Sequence, residues 1–126
     1  MNRRPLLVLA LLLGLALSLS AQAAPPAAVQ TEVNYLLGMV EMSGCQFYRN
    51  GSWYGPKKAQ EHLRSKYEYL AGHDRISTTE DFIEMAATKS SLSGKAYAIR
   101  CSDGRTVTSN QWLRDALTRY RSVRKN

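Results

Sequence analysis

Between Thr31 and Met42 the apolar residues Val33, Leu36, Leu37 and Val40 fall at i, i+3, i+4 and i+7, the stripe of an amphipathic helix. Ser43-Gly44 stops it, because glycine takes positive φ past a helix end without a steric cost. The pattern then alternates: Cys45 and Phe47 point to one side of a strand, Gln46 and Tyr48 to the other. Asn50-Gly51 predicts a two-residue turn, since both central positions of a type I′ turn need φ > 0, and Ser52-Trp53-Tyr54 is the return strand. Pro56 suits the first turn of a second helix over Lys57–Leu70, with Ala59, Leu63, Tyr67 and Leu70 inward. Lys57/Glu61 and Arg64/Glu68 are opposite charges at i, i+4 on its wet side.

After a loop at 71–74, Ser77-Thr78-Thr79-Glu80 reads as a capping box, with the Ser77 hydroxyl and the Glu80 carboxylate on the free N–H groups. A third helix is predicted over Thr79–Lys89, with Phe82, Ile83, Ala86 and Ala87 inward. Tyr97, Ile99 and Cys101 share one side of a further strand, Asp103-Gly104 turns the chain, and Thr106-Val107 is a short return. Ser109 caps a last helix to Arg121, with Trp112, Leu113, Ala116, Leu117 and Tyr120 inward. Arg119, Arg121, Arg124 and Lys125 gather at its C-terminal end, where the helix dipole favours cations. The order is helix, hairpin, two helices, hairpin, helix. It predicts an α+β fold: a small antiparallel sheet of short hairpins covered by about four helices.

The N-terminal residues add a destination. Arg3 and Arg4 precede an uncharged run from Leu6 to Leu19, then Ala21-Gln22-Ala23 and Ala24-Pro25-Pro26. A basic start, a short apolar stretch and a small-x-small site define a secretory signal over residues 1–23, cleaved near Ala23. The run is shorter than the roughly 18–20 residues that span a bilayer, so no transmembrane segment is expected after cleavage. Residues 24–30 read as a flexible leader and 31–126 as a single α+β domain. In an oxidising compartment the two cysteines, Cys45 and Cys101, are expected to form one disulfide; their spacing fits no metal motif, and neither metal nor cofactor is expected.

The chain carries 17 Lys and Arg against 10 Asp and Glu, a formal charge of +7 that loses two units with Arg3 and Arg4. A basic exported protein meets acidic partners such as phospholipid headgroups, lipopolysaccharide phosphates and wall polymers. Nucleic acid is excluded by the compartment and by the lack of any nucleic-acid motif.

The candidate chemistry is sparse. Trp53 and Tyr54 face opposite ways in a strand, and the outward one would join Tyr48, Arg49 and Asn50 in an aromatic-plus-cation patch, although sheet packing explains such aromatics equally well. His62, Lys66 and Tyr69 lie at i, i+4, i+7 on one flank of the second helix. A histidine beside a lysine suits a base of lowered pKa, or a boundary residue bonded to a backbone carbonyl. Lys89 to Lys95 is rich in hydroxyls, and its N–H groups could cradle an anion or simply end a helix. It is neither a phosphate-binding loop nor a Ser-x-x-Lys motif, since Ser91 plus three is Gly94 and Ala96 follows Lys95. Asn50-Gly51-Ser52 matches a glycosylation sequon, which the turn accounts for without glycan.

The segments "EVNYLLGMVEMSGCQFYRNGSWYGPKKAQEHLRSKY", "TTEDFIEMAATKSSLSGKAYAIRC" and "WLRDALTRYR" together resemble the YfeK-like family of small exported proteobacterial proteins, a domain of unknown function. The likeness runs from about Val33 to Arg121, and its most specific pieces are Cys45, Asn50 to Tyr54, His62-Leu63, Ser90 to Gly94 and Cys101. The resemblance implies a periplasmic location and assigns no activity, ligand or catalytic residue. The expected function is that of a small soluble periplasmic protein, a monomeric, non-catalytic binding or accessory module of the cell envelope whose partner is an acidic glycan or protein. Two rivals stand beside it: a glycan- or lipid-modifying enzyme using His62, and an inhibitor of an envelope or host hydrolase presenting the Asn50-Gly51 hairpin.

Overall fold

The computed structural model describes residues 24–125; the expected signal peptide, residues 1–23, lies outside the described residues. Helix α1 (Ala27–Met42) is followed by strands β1 (Gln46–Arg49) and β2 (Ser52–Tyr54). Then come α2 (Pro56–Gly72), α3 (Thr79–Ala86), β3 (Ala98–Arg100), β4 (Thr106–Thr108) and α4 (Ser109–Arg124). The four strands make one antiparallel sheet in the order β2-β1-β3-β4. The α+β reading and the Cys45–Cys101 disulfide are therefore both present.

The core is built where the sequence patterns converge. Val33, Leu36, Leu37 and Val40 of α1 are fully buried against Phe82 and Ile83 of α3 and Leu113 and Leu117 of α4. Facing them from the sheet is a cross-strand row, Tyr54–Phe47–Ile99–Val107, fixed by the register Phe47↔Tyr54, Phe47↔Ile99 and Ile99↔Val107. Phe47 and Ile99 at its centre are buried, and Val107 on the edge strand is open. Each buried side chain of Phe or Ile size contributes about 1.5–3 kcal/mol relative to exposure. The opposite row, Trp53–Tyr48–Ala98–Thr108, faces away from the helices. The disulfide joins the residue before β1 to the residue after β3, so the two central strands are tied covalently at one end.

Several boundaries differ from the sequence reading, each for a local reason. Helix α1 begins at Ala27, so much of the expected leader 24–30 is its first turn: Pro25-Pro26 sets the start, Gln30 Nε2 donates to the Pro25 carbonyl at 2.7 Å, and Val29 is buried. The capping box on α3 is Thr78 with Asp81, not Ser77 with Glu80. Asp81 accepts from the Ser77 and Thr78 N–H groups, while Glu80 is taken by Arg121. Helix α3 stops at Ala86, because Thr88 turns its hydroxyl back to the Ile83 carbonyl and Lys89 bridges to Ala96. Thr108, not Ser109, caps α4 by accepting from the Gln111 N–H.

Trp112, expected inside, is half-buried and meets Phe47 edge-on with centroids 6.5 Å apart. Neither Lys57/Glu61 nor Arg64/Glu68 closes into an ion pair among the described residues. The pairs that form are tertiary: Arg114–Glu84, Arg121–Glu32 and Arg121–Glu80, clamping α4 onto α3 and α1.

Candidate functional site

The sheet sorts the sequence-predicted site residues into two sets. At Asn50 and Gly51 the backbone takes φ of 51° and 89°, so the chain reverses in two residues and Arg49 pairs with Ser52. Neighbours in β1 must face opposite ways. Tyr48 therefore shares the open side with Trp53, its direct partner, with ring centroids 5.4 Å apart. Arg49 shares the helix side with Tyr54, its guanidinium carbon 5.0 Å from the ring centroid. Arg49, Tyr54, His62 and Lys66 come together, with Asn50 at the lip; Tyr48 borders the same ground from β1 while its ring packs on Trp53, and Trp53 does not join them.

His62 and Lys66 stand one turn apart on α2, above the end of the sheet. Arg49 donates through Nη1 to His62 Nδ1 at 2.7 Å. The same Nη1 lies 3.2 Å from Nε2, and Nε2 lies 3.2 Å from the Tyr97 hydroxyl oxygen; in the tautomer that accepts at Nδ1, the Nε2–H donates to that oxygen. Lys66 Nζ donates to the same oxygen at 3.2 Å and to the Lys89 carbonyl at 3.3 Å. Tyr97 is 5% exposed and fixed at both backbone ends: its N–H donates to the Thr88 carbonyl and its carbonyl accepts from Ser109.

The charges are unbalanced. Burial, then Arg49, then Lys66 lower the His62 pKa to about 4, which leaves the ring neutral at pH 7. Burial and Arg49 lower that of Lys66, and burial raises that of Tyr97. The Arg49 guanidinium lowers that of Tyr54. Among the described residues no carboxylate forms an ion pair with Arg49 or Lys66. In that tautomer the Tyr97 oxygen accepts from His62 and Lys66, and its own O–H is left to donate. Arg49, Lys66 and Tyr97 thus converge as donors, two of them cations, on ground without a fixed anion.

Two depressions meet at these side chains. One, of about 300 Å³, runs between β1–β2 and α2 and is lined by Phe47, Tyr48, Tyr54, Ala59, Leu63 and Ser109, with the exposed Lys58, Glu61 and Ser65 of α2 at its rim. The other, of about 230 Å³, lies toward the 89–95 loop and is lined by Asn50, Lys66, Ser90, Ser91 and Leu92. Arg49, His62 and Tyr97 line both. The loop does not offer its amides to a ligand in the way its composition allowed, because Ser90 Oγ already accepts from the Leu92 and Ser93 N–H groups. Tyr69, the third residue of the expected flank, is exposed and packs on His73.

Tyr97 is the site residue that sequence reasoning missed. It reads as an ordinary inward strand position, and only the β1–β3 register brings it against His62. Arg100 was likewise missed on the open side, where its guanidinium lies 4.2 Å from the Trp53 ring centroid. Among the described residues there is no cluster of three His, Cys, Asp or Glu that could hold a metal ion, and no helix long and apolar enough to cross a membrane.

No solved structure matches the chain. It is 34% identical over 84 residues to the uncharacterized protein YfeK of Salmonella typhimurium, an alignment covering 66% of this chain and 68% of that one. The model of a family of unknown function, DUF5329, matches residues 27–121, which span the first three helices, the whole sheet and α4 as far as Arg121. The chain belongs to that family.

Proposed function

We propose that the protein is a non-catalytic binding or accessory module of the cell envelope, acting as a monomer in the periplasm, and that it takes an acidic ligand where Arg49, Lys66 and Tyr97 converge. The observation that carries this reading is the pair of half-buried cations with no carboxylate partner among the described residues. A site whose donors point at one place and whose electrostatics are uncompensated favours an incoming negative charge. Catalysis by His62 finds less support: its hydrogen-bond partners are Arg49 and Tyr97, no carboxylate among the described residues orients it, and a ring with a pKa near 4 is a feeble base. The disulfide is compatible with export to an oxidising compartment.

The test is titration of the mature protein with acetate and inorganic phosphate at pH 7, followed by NMR of the His62 ring. The expected result is saturable binding of at least one anion that weakens with added salt and is lost in Arg49→Gln combined with Lys66→Met. Anion titrations that move no resonance at this end of the sheet would overturn the reading. Cell fractionation with thiol counting addresses the compartment, where two free thiols in the exported protein would contradict it.

A further inference from the structure

The cationic junction is continuous with an apolar wall. Arg49, His62 and Tyr97 border both depressions, so an anion held by Arg49 and Lys66 has the Phe47–Tyr54–Ala59–Leu63 cleft directly beside it. The cleft is lined by an aromatic edge from Phe47, the Tyr54 ring and two aliphatic side chains of α2 one turn apart. Beyond the junction its polar groups are Lys58, Glu61 and Ser65, exposed on α2 at the rim, and one buried hydroxyl residue, Ser109, at the start of α4. A sugar ring would need hydroxyl partners along the wall, and this wall supplies few. A free inorganic anion would use the junction and leave the apolar wall to water. At about 300 Å³ the cleft sits at the low end of the range for small-ligand sites, which sets the scale of any occupant.

We propose that the ligand is a small amphiphile with one anionic head: the head held by Arg49, Lys66 and the Tyr97 hydroxyl, and a short apolar body lying between Tyr54 and the Ala59–Leu63 face of α2. This rests on the acidic-ligand reading of the same junction and names the chemical class that fits it. A carboxylate or a phosphomonoester head satisfies the three donors alike. The body gains by leaving water against Phe47 and Leu63, and the head stays where the Arg49 and Lys66 side chains are themselves only partly exposed. Glu61 at the rim sets polarity: an anion entering the cleft head-first would meet a carboxylate, so the apolar end belongs there and the head at the junction.

Calorimetry of the mature protein with acetate, butyrate, hexanoate and octanoate, and with inorganic phosphate and octyl phosphate, tests this at one pH and one ionic strength. Affinity is expected to rise by roughly fourfold per methylene until the cleft is filled, and octanol is expected to bind far more weakly than octanoate. Comparison of octanoate with octyl phosphate identifies the preferred head. If acetate or phosphate binds and chain length adds nothing, the amphiphile is wrong while the acidic-ligand reading stands. If octanol binds as well as octanoate and the short anions do not bind, both are wrong. Ala59→Phe should block the chain-length gain and keep short-anion binding. Should that variant fail to fold, Tyr54→Ala opens the same wall from an edge strand, and undiminished chain-length dependence in it would overturn the proposal.

Discussion

The two faces of the β1–β2 hairpin carry the same kinds of residue in opposite circumstances. On the open face Trp53, 37% exposed, packs on Tyr48 and receives Arg100 over its ring. On the helix face Arg49 receives Tyr54 in a similar way, but also reaches His62 under α2. An arginine on an aromatic ring is worth about 0.5–1 kcal/mol where water surrounds it, and more where water is displaced. The open pair is self-contained. The enclosed pair alters the proton affinity of every titratable side chain it touches, because His62, Tyr97 and Lys66 lie around one guanidinium in a part-buried setting. The same chemistry keeps uncompensated charge only where it is partly dehydrated and left without a counter-charge.

The largest contrast is in stability. Phe47→Ala empties the centre of the helix-side row and is expected to cost about 3–5 kcal/mol, whereas Trp53→Ala, on the other face of the same hairpin, should cost no more than about 1 kcal/mol. Urea unfolding of the two variants measures the gap; equal losses would mean that both faces are core. Replacing Cys45 and Cys101 together removes the tie beneath both faces. The ring it closes spans 56 residues of separation, and the chain-entropy treatment gives about 4 kcal/mol for a loop of that length. Melting of the double serine variant should fall accordingly, with both faces affected alike.

A third effect distinguishes the faces by pH. The folded-state pKa of His62 is about 4, below its ordinary 6.5, so the unfolded chain binds the proton first as pH falls. The stability associated with neutral His62 is present above pH 6.5 and is lost as pH drops toward 4. His62→Gln should flatten that part of the stability profile, and Trp53→Ala should leave it unchanged. The groups facing His62 are Arg49 from β1, Lys66 from its own helix and Tyr97 beside β3, so Arg49→Gln should raise the histidine's pKa and narrow the window. The smallest effect is on the open face itself. Trp53→Ala with Arg100→Gln is expected to leave melting within about 1 kcal/mol and anion binding unchanged. Loss of binding in that variant would move the site to the other side of the sheet.

The Asn50-Gly51 turn, the helix stripes and the pairing of Cys45 with Cys101 were legible because each depends on local chemistry or on a choice with one solution. Tyr48 and Arg49 border one cleft yet turn their side chains to opposite faces, for the same reason that reading strands works at all: adjacent residues are close in sequence and separated by the sheet. The segment from Ser77 to Asp81 contains two overlapping boxes, Ser77/Glu80 and Thr78/Asp81, and only the claim of Arg121 on Glu80 decides between them. That claim joins residues 41 apart, and the Arg121–Glu32 pair joins residues 89 apart, distances over which no pattern in the chain carries information. Tyr97 belongs to the same class, since its partner His62 is set by register and not by spacing.

The Cys45–Cys101 bond makes the protein a covalent ring with two tails. Arg49, Tyr54, His62, Lys66 and Tyr97 all lie on the ring, while α1 and α4 lie on the tails. A machine that threads a chain from either end unwinds one tail and then meets a doubled strand at the bond. A single cut on the ring leaves both fragments attached, and each side of the cleft still belongs to the same molecule. Resistance to stretching and to nicking is therefore concentrated on the part of the chain that holds the proposed binding residues, and reduction of one bond is the step that would remove it.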